Sequence, residues 1–299
     1  MGQKPVTLID NVMSMPRTDR RPGCERAMLQ AALSSSPGND VLHFSDGAGY
    51  ERYMGRWSRA AGEVFLSWVA PPASACWLDI GCGTGVFTEL VLDTCAPAIV
   101  VAVDPSEAQI DIARNKPLAQ RADFRVADAQ TLPFSDGAFD IVASSLVINF
   151  IPDPSQALAE MRRVARPGGV VAGYVWDFAG ERGPSSLIRS GLRQIGFKTQ
   201  STPGAAHTRL EALISLFTGA GLEDVDTRVI DVTMSFSDLN EFWQSQTPLY
   251  TPTGKMIATM SAADREKLID AFREIVRLDP DGSFACSASA HAIKARVPE

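Results

Sequence analysis

The sequence is poor in the residues that build metal centres and disulfide frameworks. It has only five cysteines and three histidines in 299 residues. The cysteines are scattered and form no Cys-x-x-Cys pair, so neither a zinc site nor a disulfide framework is predicted. We therefore expect reduced thiols, no bound metal, and no catalytic role for any histidine, the residues concerned being Cys24, Cys76, Cys82, Cys95, Cys286, His43, His207 and His291.

Long apolar runs and an excess of positive charge are also missing. No stretch of about 18 apolar residues occurs, so no transmembrane helix is predicted. The first residues lack the basic-then-apolar pattern of a signal peptide, which favours a cytoplasmic location. The formal net charge is -7, whereas a broad nucleic-acid surface needs a basic face. Nucleic acid is therefore not an expected partner.

The pattern of the chain changes near residue 46. Residues 1–45 contain Pro, Ser, Arg and Gly without periodicity and are predicted to form a flexible tail. Residues 46–299 are predicted to form one domain, which begins with an amphipathic helix over 50–69. Strand-like apolar runs then alternate with helical segments. The predicted strands are 76–80, 99–103, 124–127, 139–144 and 170–176, and the predicted helices are 86–95, 106–116 and 154–164. Such alternation predicts an α/β domain with a parallel sheet covered on both faces.

Beyond residue 176 the alternation loosens. Further strands are predicted at 225–234 and 284–295, and further helices at 185–196, 210–220, 237–244 and 261–276. The extra helices within about 178–282 are predicted to form a cap over the carboxyl edge of the sheet.

A glycine-rich turn follows the first predicted strand. The segment 77–85 reads Trp-Leu-Asp-Ile-Gly-Cys-Gly-Thr-Gly, with glycines at Gly81, Gly83 and Gly85. The dinucleotide fingerprint spaces its glycines as Gly-x-Gly-x-x-Gly, so the tighter loop favours a nucleoside with an amino-acid tail over a pyrophosphate. Asp79 suits the ammonium group of such a ligand. The backbone N–H groups of Cys82 and Thr84, at the start of a helix, suit its carboxylate.

An acidic residue ends each of the next two strands. Asp104 ends the second strand, where a carboxylate accepts hydrogen bonds from ribose hydroxyls. Asp128 ends the third, where it suits an adenine amino group. Both residues also suit a local structural role. Asp104 suits the cap of the next helix, which is compatible with ribose binding, whereas Asp128 suits a simple turn, which competes with adenine binding.

Residues 50–176 resemble the class I S-adenosylmethionine-dependent methyltransferases, and within them the type 11 group that includes the ubiquinone and menaquinone C-methyltransferases. The resemblance rests on the glycine loop, on Asp104, on Asp128-Ala129 with the following Leu132-Pro133-Phe134, on 139–142 (Phe-Asp-Ile-Val) and on 166–169 (Arg-Pro-Gly-Gly). It implies a Rossmann-like sheet of seven mostly parallel strands in the order 3-2-1-4-5-7-6, with the last strand antiparallel. It also implies S-adenosylmethionine as the cofactor and S-adenosylhomocysteine as the product.

The resemblance completes the set of candidate site residues. The predicted cofactor-binding residues are Asp79, Gly81, Cys82, Gly83, Thr84, Gly85, Asp104, Pro105, Ser106, Asp128, Ala129 and Ser145. The helix over 50–69 either packs as an ordinary amphipathic helix or serves as a lid, and the resemblance favours the lid. The candidate lid and substrate residues are Tyr50, Tyr53, Arg56, Trp57, Asn149, Trp176 and Asp177. The sequence does not choose a general base among Tyr53, Tyr174, Asp177 and Glu181.

These observations predict methyl transfer to a small organic acceptor at oxygen, nitrogen or carbon. Two alternatives stay open: an NAD-dependent oxidoreductase, which the glycine spacing disfavours, and a regulatory protein that binds S-adenosylmethionine without turnover. The sequence leaves the oligomeric state open.

Overall fold

The computed structural model describes residues 47–249 and 251–299, with the side chains of residues 54–249, 251 and 253–299. The predicted tail, residues 1–45, lies outside the described residues.

A seven-stranded sheet forms the centre of the domain. Its order is β3-β2-β1-β4-β5-β7-β6, as the resemblance predicted. Strands β1 to β5 pair in parallel, and β7 pairs antiparallel with both β5 and β6. The strands are β1 Cys76–Ile80, β2 Ile99–Asp104, β3 Asp123–Val126, β4 Phe139–Ser145, β5 Ala165–Trp176, β6 Glu223–Phe236 and β7 Phe284–Arg296.

Nine α-helices lie among the described residues. They are α1 Gly47–Val69, α2 Val86–Thr94, α3 Glu107–Arg114, α4 Pro154–Val164, α5 Ser186–Gln194, α6 Leu210–Gly219, α7 Leu239–Gln246, α8 Pro252–Thr259 and α9 Ala262–Ile275. Short 3-10 turns occur at Pro117–Gln120, Ile148–Phe150 and Ala205–Thr208. In the described part of the chain, no helix is long and apolar enough to cross a membrane.

The inner strands are buried on both faces. Successive side chains of a strand point to opposite faces, so a doubly covered strand is mostly apolar, and the buried Asp79 in β1 is an exception. In β1, Trp77 belongs to the apolar cluster that includes residues of α1 and α2, whereas Leu78 belongs to the cluster that includes residues of α4 and α6. The unbroken apolar runs that predicted a parallel sheet have this physical origin.

The structure departs from the prediction mainly in element lengths. Strand β5 starts at Ala165 instead of 170, because Ala165 already pairs with Phe139 before a bulge. Strand β6 extends over Glu223–Phe236, since its polar residues alternate on an edge strand and hide the apolar signal. Helix α8 was not predicted.

One cysteine also differs from the prediction. Cys76 is disulfide-bonded, so the expectation of five reduced thiols is wrong for this residue. Spacing in the sequence does not reveal which side chains meet across a fold. Cys82, Cys95 and Cys286 are free, as predicted.

Candidate active site

The predicted site residues meet at one edge of the sheet. Because β1, β2, β4 and β5 are parallel, their carboxyl ends lie together. The glycine loop follows β1, Asp104 ends β2, Ser145 ends β4 and Trp176 ends β5. Ligands of open α/β sheets bind at this edge, beside the point where the strand order reverses.

The glycine loop is held in place by backbone hydrogen bonds. The N–H groups of Gly81 and Cys82 both donate to the carbonyl oxygen of Val103, at 2.8 and 3.0 Å. The N–H of Gly83 donates to Asp104 Oδ2 at 2.9 Å. The loop after β1 is therefore fastened to the end of β2 without help from a ligand.

Two of the loop glycines differ in what surrounds them. Gly81 has φ +72°, and a Cβ there would lie 2.5 Å from the methyl groups of Val147. Gly83 has φ +54°, and the nearest atom to a Cβ there would be Gln109 Oε1 at 3.9 Å. Gly81 is thus required by packing against the protein, whereas Gly83 faces space in which a ligand backbone or nucleoside fits.

This difference predicts separable effects for two matched substitutions. Gly81→Ala is expected to lower the free energy of unfolding by about 3 kcal/mol, because it adds a steric clash to an unfavourable φ. Gly83→Ala is expected to lower the free energy of unfolding by only about 1 kcal/mol, yet to weaken S-adenosylhomocysteine binding at least about tenfold by filling the open space. Chemical denaturation and calorimetric titration measure the two effects. Wild-type affinity in Gly83→Ala would contradict the assignment.

The Asp104 side chain accepts hydrogen bonds from the glycine loop and from the residue that precedes α3. Its Oδ2 accepts from Gly83 N and its Oδ1 accepts from Ser106 N, both at 2.9 Å. Burial raises the pKa of Asp104, and the two N–H groups oppose that rise. A carboxylate offers about four lone-pair sites, so each oxygen can accept one further hydrogen bond. The side chain is therefore oriented and still has capacity for the two ribose hydroxyls. Ser106, and not Asp104, caps α3 by accepting from Gln109 N, so the capping role that the sequence left open for Asp104 is taken by Ser106.

Asp79 is fully buried beneath the glycine loop. Its relative exposure is 0%, and Thr88 Oγ1 donates to its Oδ2 at 2.6 Å. Its Oδ1 has no hydrogen-bond partner. Burial raises the pKa of Asp79 to about 7, the hydrogen bond from Thr88 lowers it, and the charge of Asp104 adds to the rise. A buried carboxylate oxygen without a donor is costly, which points to a cation or donor that is supplied by a ligand.

The side chains between the glycines turn into the protein. Cys82 and Thr84 are both buried. Burial, followed by the charges of Asp79 and Asp104, raises the pKa of the Cys82 thiol well above its usual range. The thiol therefore stays protonated. The prediction that the N–H of Cys82 faces a ligand carboxylate is wrong, because this N–H donates to the carbonyl oxygen of Val103.

Asp128 takes the local role that was left open for it. It is exposed, and both of its oxygens accept from the Gln130 side chain at 3.1 Å while Oδ1 also accepts from Gln130 N. Its neighbour Ala129 is buried. The turn leaves Asp128 at the carboxyl end of β3, and its contact with adenine stays a prediction.

A buried polar chain links β4, β5 and α1. Ser145 Oγ donates to Tyr174 Oη at 2.8 Å, and Tyr174 Oη donates to the carbonyl oxygen of Ser58 at 3.4 Å. Gly62 lies against the same hydroxyl, since a Cβ there would be 3.3 Å from Tyr174 Oη. The carboxyl ends of β4 and β5 are thereby tied to α1.

The lid and base candidates fall into different surroundings. Trp57 is buried against Trp176 with ring centroids 6.5 Å apart, which fits ordinary helix packing. Arg56 is exposed and pairs with Glu241 at 3.1 Å. Glu181 is exposed and pairs with Arg193. The side chains of Tyr50 and Tyr53 lie outside the described part of the structure.

Asn149 and Asp177, two of the predicted substrate residues, lie just beyond the carboxyl ends of β4 and β5. Asn149 Nδ2 donates to Pro203 O at 3.2 Å, whereas its Oδ1 is buried without a partner. Asp177 Oδ1 accepts from Gly180 N at 2.7 Å and so fixes the turn after β5. Asn149 therefore has spare bonding capacity, and Asp177 has a structural task.

Two polar residues of this region were not among the predicted site residues: Arg189 was not singled out, and His291 was expected to have no catalytic role. His291 Nδ1 lies 2.7 Å from Thr208 O, and its Nε2 lies 3.8 Å from Asp177 Oδ2. Arg189, on α5, donates to Thr202 Oγ1 at 3.0 Å. No local motif signals either residue, because their partners are brought together only by the fold. Among the described residues no cluster of three or more His, Cys, Asp or Glu residues is arranged to hold a metal ion.

The residues present fit the cofactor that the sequence predicted. The orphaned Asp79 Oδ1 suits an ammonium group, the open face of Gly83 admits a nucleoside, and Asp104 retains capacity for a ribose.

Comparisons with known proteins agree with this fit. The family described as "Methyltransferase domain" matches residues 78–173. The chain is 32% identical over 164 residues to a malonyl-[acyl-carrier protein] O-methyltransferase of Serratia marcescens, covering 55% of this chain and 58% of that protein. It is 31% identical over 170 residues to a demethylmenaquinone methyltransferase of Clavibacter sepedonicus, covering 55% of this chain and 67% of that protein. The YcgJ protein of Bacillus subtilis shares the fold, with a TM-score of 0.52 at 17% identity over 80% of this chain and 98% of that one.

The fold and the edge geometry define a Rossmann-like methyltransferase domain. The chain belongs to the class I S-adenosylmethionine-dependent methyltransferases of type 11. It spans a little over half the length of the Serratia relative, so the similarity centres on the cofactor half of the domain.

Proposed function

We propose that this protein transfers a methyl group from S-adenosylmethionine to a small organic acceptor. The observation that carries the proposal is the oriented carboxylate of Asp104, clasped by Gly83 N and Ser106 N at the switch point of the sheet. The sulfonium of the cofactor makes its methyl group electrophilic, so the protein has to hold an acceptor in line and exclude water.

The residues of this chain divide those tasks. Asp104 binds the ribose, Asp79 neutralises the ammonium group, and the N-terminal end of α2, after the glycine loop, receives the carboxylate end of the cofactor. Asp128 and Ala129 flank the adenine, and Ser145 borders the methionine end. Helices within 178–282 form the cap that excludes water from the carboxyl edge.

A general base is needed only when the acceptor has to lose a proton. Asp177 is engaged with Gly180 N. Tyr174 is buried, and its hydroxyl accepts from Ser145 Oγ and donates to Ser58 O, so neither residue is assigned as the base. The attacked atom, oxygen, nitrogen or carbon, follows from the acceptor. A small-molecule acceptor and a cytoplasmic location are part of this proposal.

The proposal is tested by turnover. Release of S-adenosylhomocysteine is measured with a broad panel of small organic acids, amines, phenols and quinols, and the methylated products are identified by mass spectrometry. We expect acceptor-dependent release with at least one class. Binding of S-adenosylmethionine without turnover across the panel would instead support a regulatory protein.

A further inference from the structure

One half-buried arginine lacks the partner that the others have. Among the described residues, three arginines are half-buried: Arg125, Arg163 and Arg189. Arg125 pairs with Asp123, and Arg163 pairs with Glu160 and Asp136. Arg189 forms no ion pair with a described residue, and its side chain makes one hydrogen bond, from Nη1 to Thr202 Oγ1 at 3.0 Å. Its Nε is buried without a partner.

Nothing in its own helix compensates this charge. Arg189 is the fourth residue of α5, near the end where the helix dipole is positive, and the first turn of α5 contains no acidic residue. One neutral hydroxyl satisfies one of the five N–H donors of the guanidinium. A guanidinium withdrawn from water without an anion is unfavourable. The unpaired Nε and Nη2 form the side-on edge that binds a carboxylate through two parallel hydrogen bonds.

The position of Arg189 connects it to the candidate active site. Thr202, which binds Arg189, is followed by Pro203, whose carbonyl oxygen accepts from Asn149 Nδ2 at 3.2 Å. Consecutive Cα atoms are about 3.8 Å apart, so Arg189 and Asn149 are fastened to neighbouring residues of one segment. Asn149 comes two residues after Val147, the side chain that packs on Gly81 of the cofactor loop. The segment therefore bridges the cap helix α5 and the carboxyl end of β4.

Asn149 adds a complementary group. Its relative exposure is 3%, and its Oδ1 has no partner. Because Nδ2 donates to Pro203 O, the buried Oδ1 can only accept a hydrogen bond. The two side chains together offer a cationic fork and a neutral acceptor.

We propose, on the basis of the proposed methyl transfer, that the acceptor is a small hydroxy- or amino-carboxylic acid. Arg189 binds its carboxylate through Nε and Nη2, and Asn149 Oδ1 accepts from its hydroxyl or amine. In this arrangement, the hydroxyl or amine that binds Asn149 lies nearer the cofactor loop than the carboxylate does. The carboxylate lies beneath the cap helices.

The test measures binding rather than turnover. Hydroxy- and amino-carboxylic acids from lactate to salicylate and anthranilate are titrated calorimetrically into protein saturated with S-adenosylhomocysteine, each beside its primary amide. We expect at least one acid to bind about 10- to 100-fold more tightly than its amide, the range for a charge-assisted hydrogen-bond pair. Arg189→Gln is expected to abolish this preference. Thr202→Val, the matched control, removes the internal partner of Arg189 but keeps the guanidinium, and is expected to retain the preference.

The inference is overturned if no acid in the panel binds more tightly than its amide, or if Arg189→Gln keeps the preference for the acid. Preferential binding of phenyl phosphate over every carboxylate also overturns it. If Arg189→Gln does not fold, Arg189→Lys is measured instead. It keeps the positive charge but lacks the two parallel N–H donors of the guanidinium, so its affinity for the acid is expected to decrease about tenfold. Failure of S-adenosylhomocysteine to bind in the same experiment contradicts the proposed function itself, whereas its binding without acid preference contradicts only this inference.

Discussion

Replacement of Asp104 by alanine is expected to weaken S-adenosylmethionine binding by about 100- to 10,000-fold. The wild-type carboxylate is buried and oriented by two backbone N–H groups at 2.9 Å, so it meets the ribose without reorganisation. A hydrogen bond to a charged group contributes about 1.5–3 kcal/mol, and two such bonds are lost. Calorimetric titration of the folded variant measures the loss.

Asp128→Ala is the matched control for this substitution. Asp128 also ends a strand of the sheet but is exposed and bonded to its own turn. Its removal is expected to weaken binding by less than about tenfold, because water competes for its contacts. Equal losses in the two variants, or near-wild-type binding by Asp104→Ala, would show that Asp104 does not bind the cofactor.

Replacement of Asp79 by asparagine is expected to stabilise the free protein and weaken cofactor binding at the same time. The pKa of Asp79 rises from 3.8 to about 7 because its carboxyl is buried. The folded protein therefore holds a proton that the unfolded chain releases. The contribution of Asp79 to the free energy of unfolding is greatest below about pH 4, decreases as the pH rises to about 7, and levels off above that. A rise of about three pKa units corresponds to roughly 4 kcal/mol.

The expected effects of Asp79→Asn on stability and on cofactor affinity depend on pH. At pH 8, Asp79→Asn is expected to raise the free energy of unfolding by about 1–3 kcal/mol, less than the full amount because the new amide nitrogen is also buried. At pH 5 the two proteins are expected to unfold alike. Cofactor affinity is expected to fall about tenfold or more at pH 8, since the ammonium group loses its counter-charge. In the wild type, affinity is expected to increase from pH 6 to pH 8 as Asp79 ionises.

Denaturant titrations at the two pH values and calorimetry on the same samples measure both halves of this prediction. Thr88→Val is a useful companion, because it removes the single donor to Asp79 Oδ2 and keeps the charge. A variant Asp79→Asn that is less stable at pH 8, or that binds the cofactor as the wild type does, would remove Asp79 from the site.

The cofactor-binding residues could be predicted from the sequence because their signals are local. The glycine loop, Asp104 and the unbroken apolar strands lie within short stretches whose chemistry is readable without a fold. The strand order came from the family resemblance, and the structure confirms it. The boundaries of β5 and β6 were missed because one contains a bulge and the other is a polar edge strand.

The proposed acceptor-binding residues could not be predicted from the sequence in the same way. Arg189 and Asn149 are distant in sequence and are linked only through their hydrogen bonds to the adjacent residues Thr202 and Pro203. The unpaired Oδ1 of Asp79 depends on what surrounds it in three dimensions, and so does the packing of Trp57 against Trp176. Burial and missing partners are properties of the fold, and no residue pattern encodes them directly.

Calorimetric titration of the wild-type protein with S-adenosylmethionine, S-adenosylhomocysteine and NAD tests the central claim most directly. The account predicts that both sulfur ligands bind at one site per chain and that NAD does not bind. Binding of NAD without binding of either sulfur ligand would contradict the assignment of Asp79, Gly83 and Asp104 to the cofactor, and with it the proposed methyl transfer.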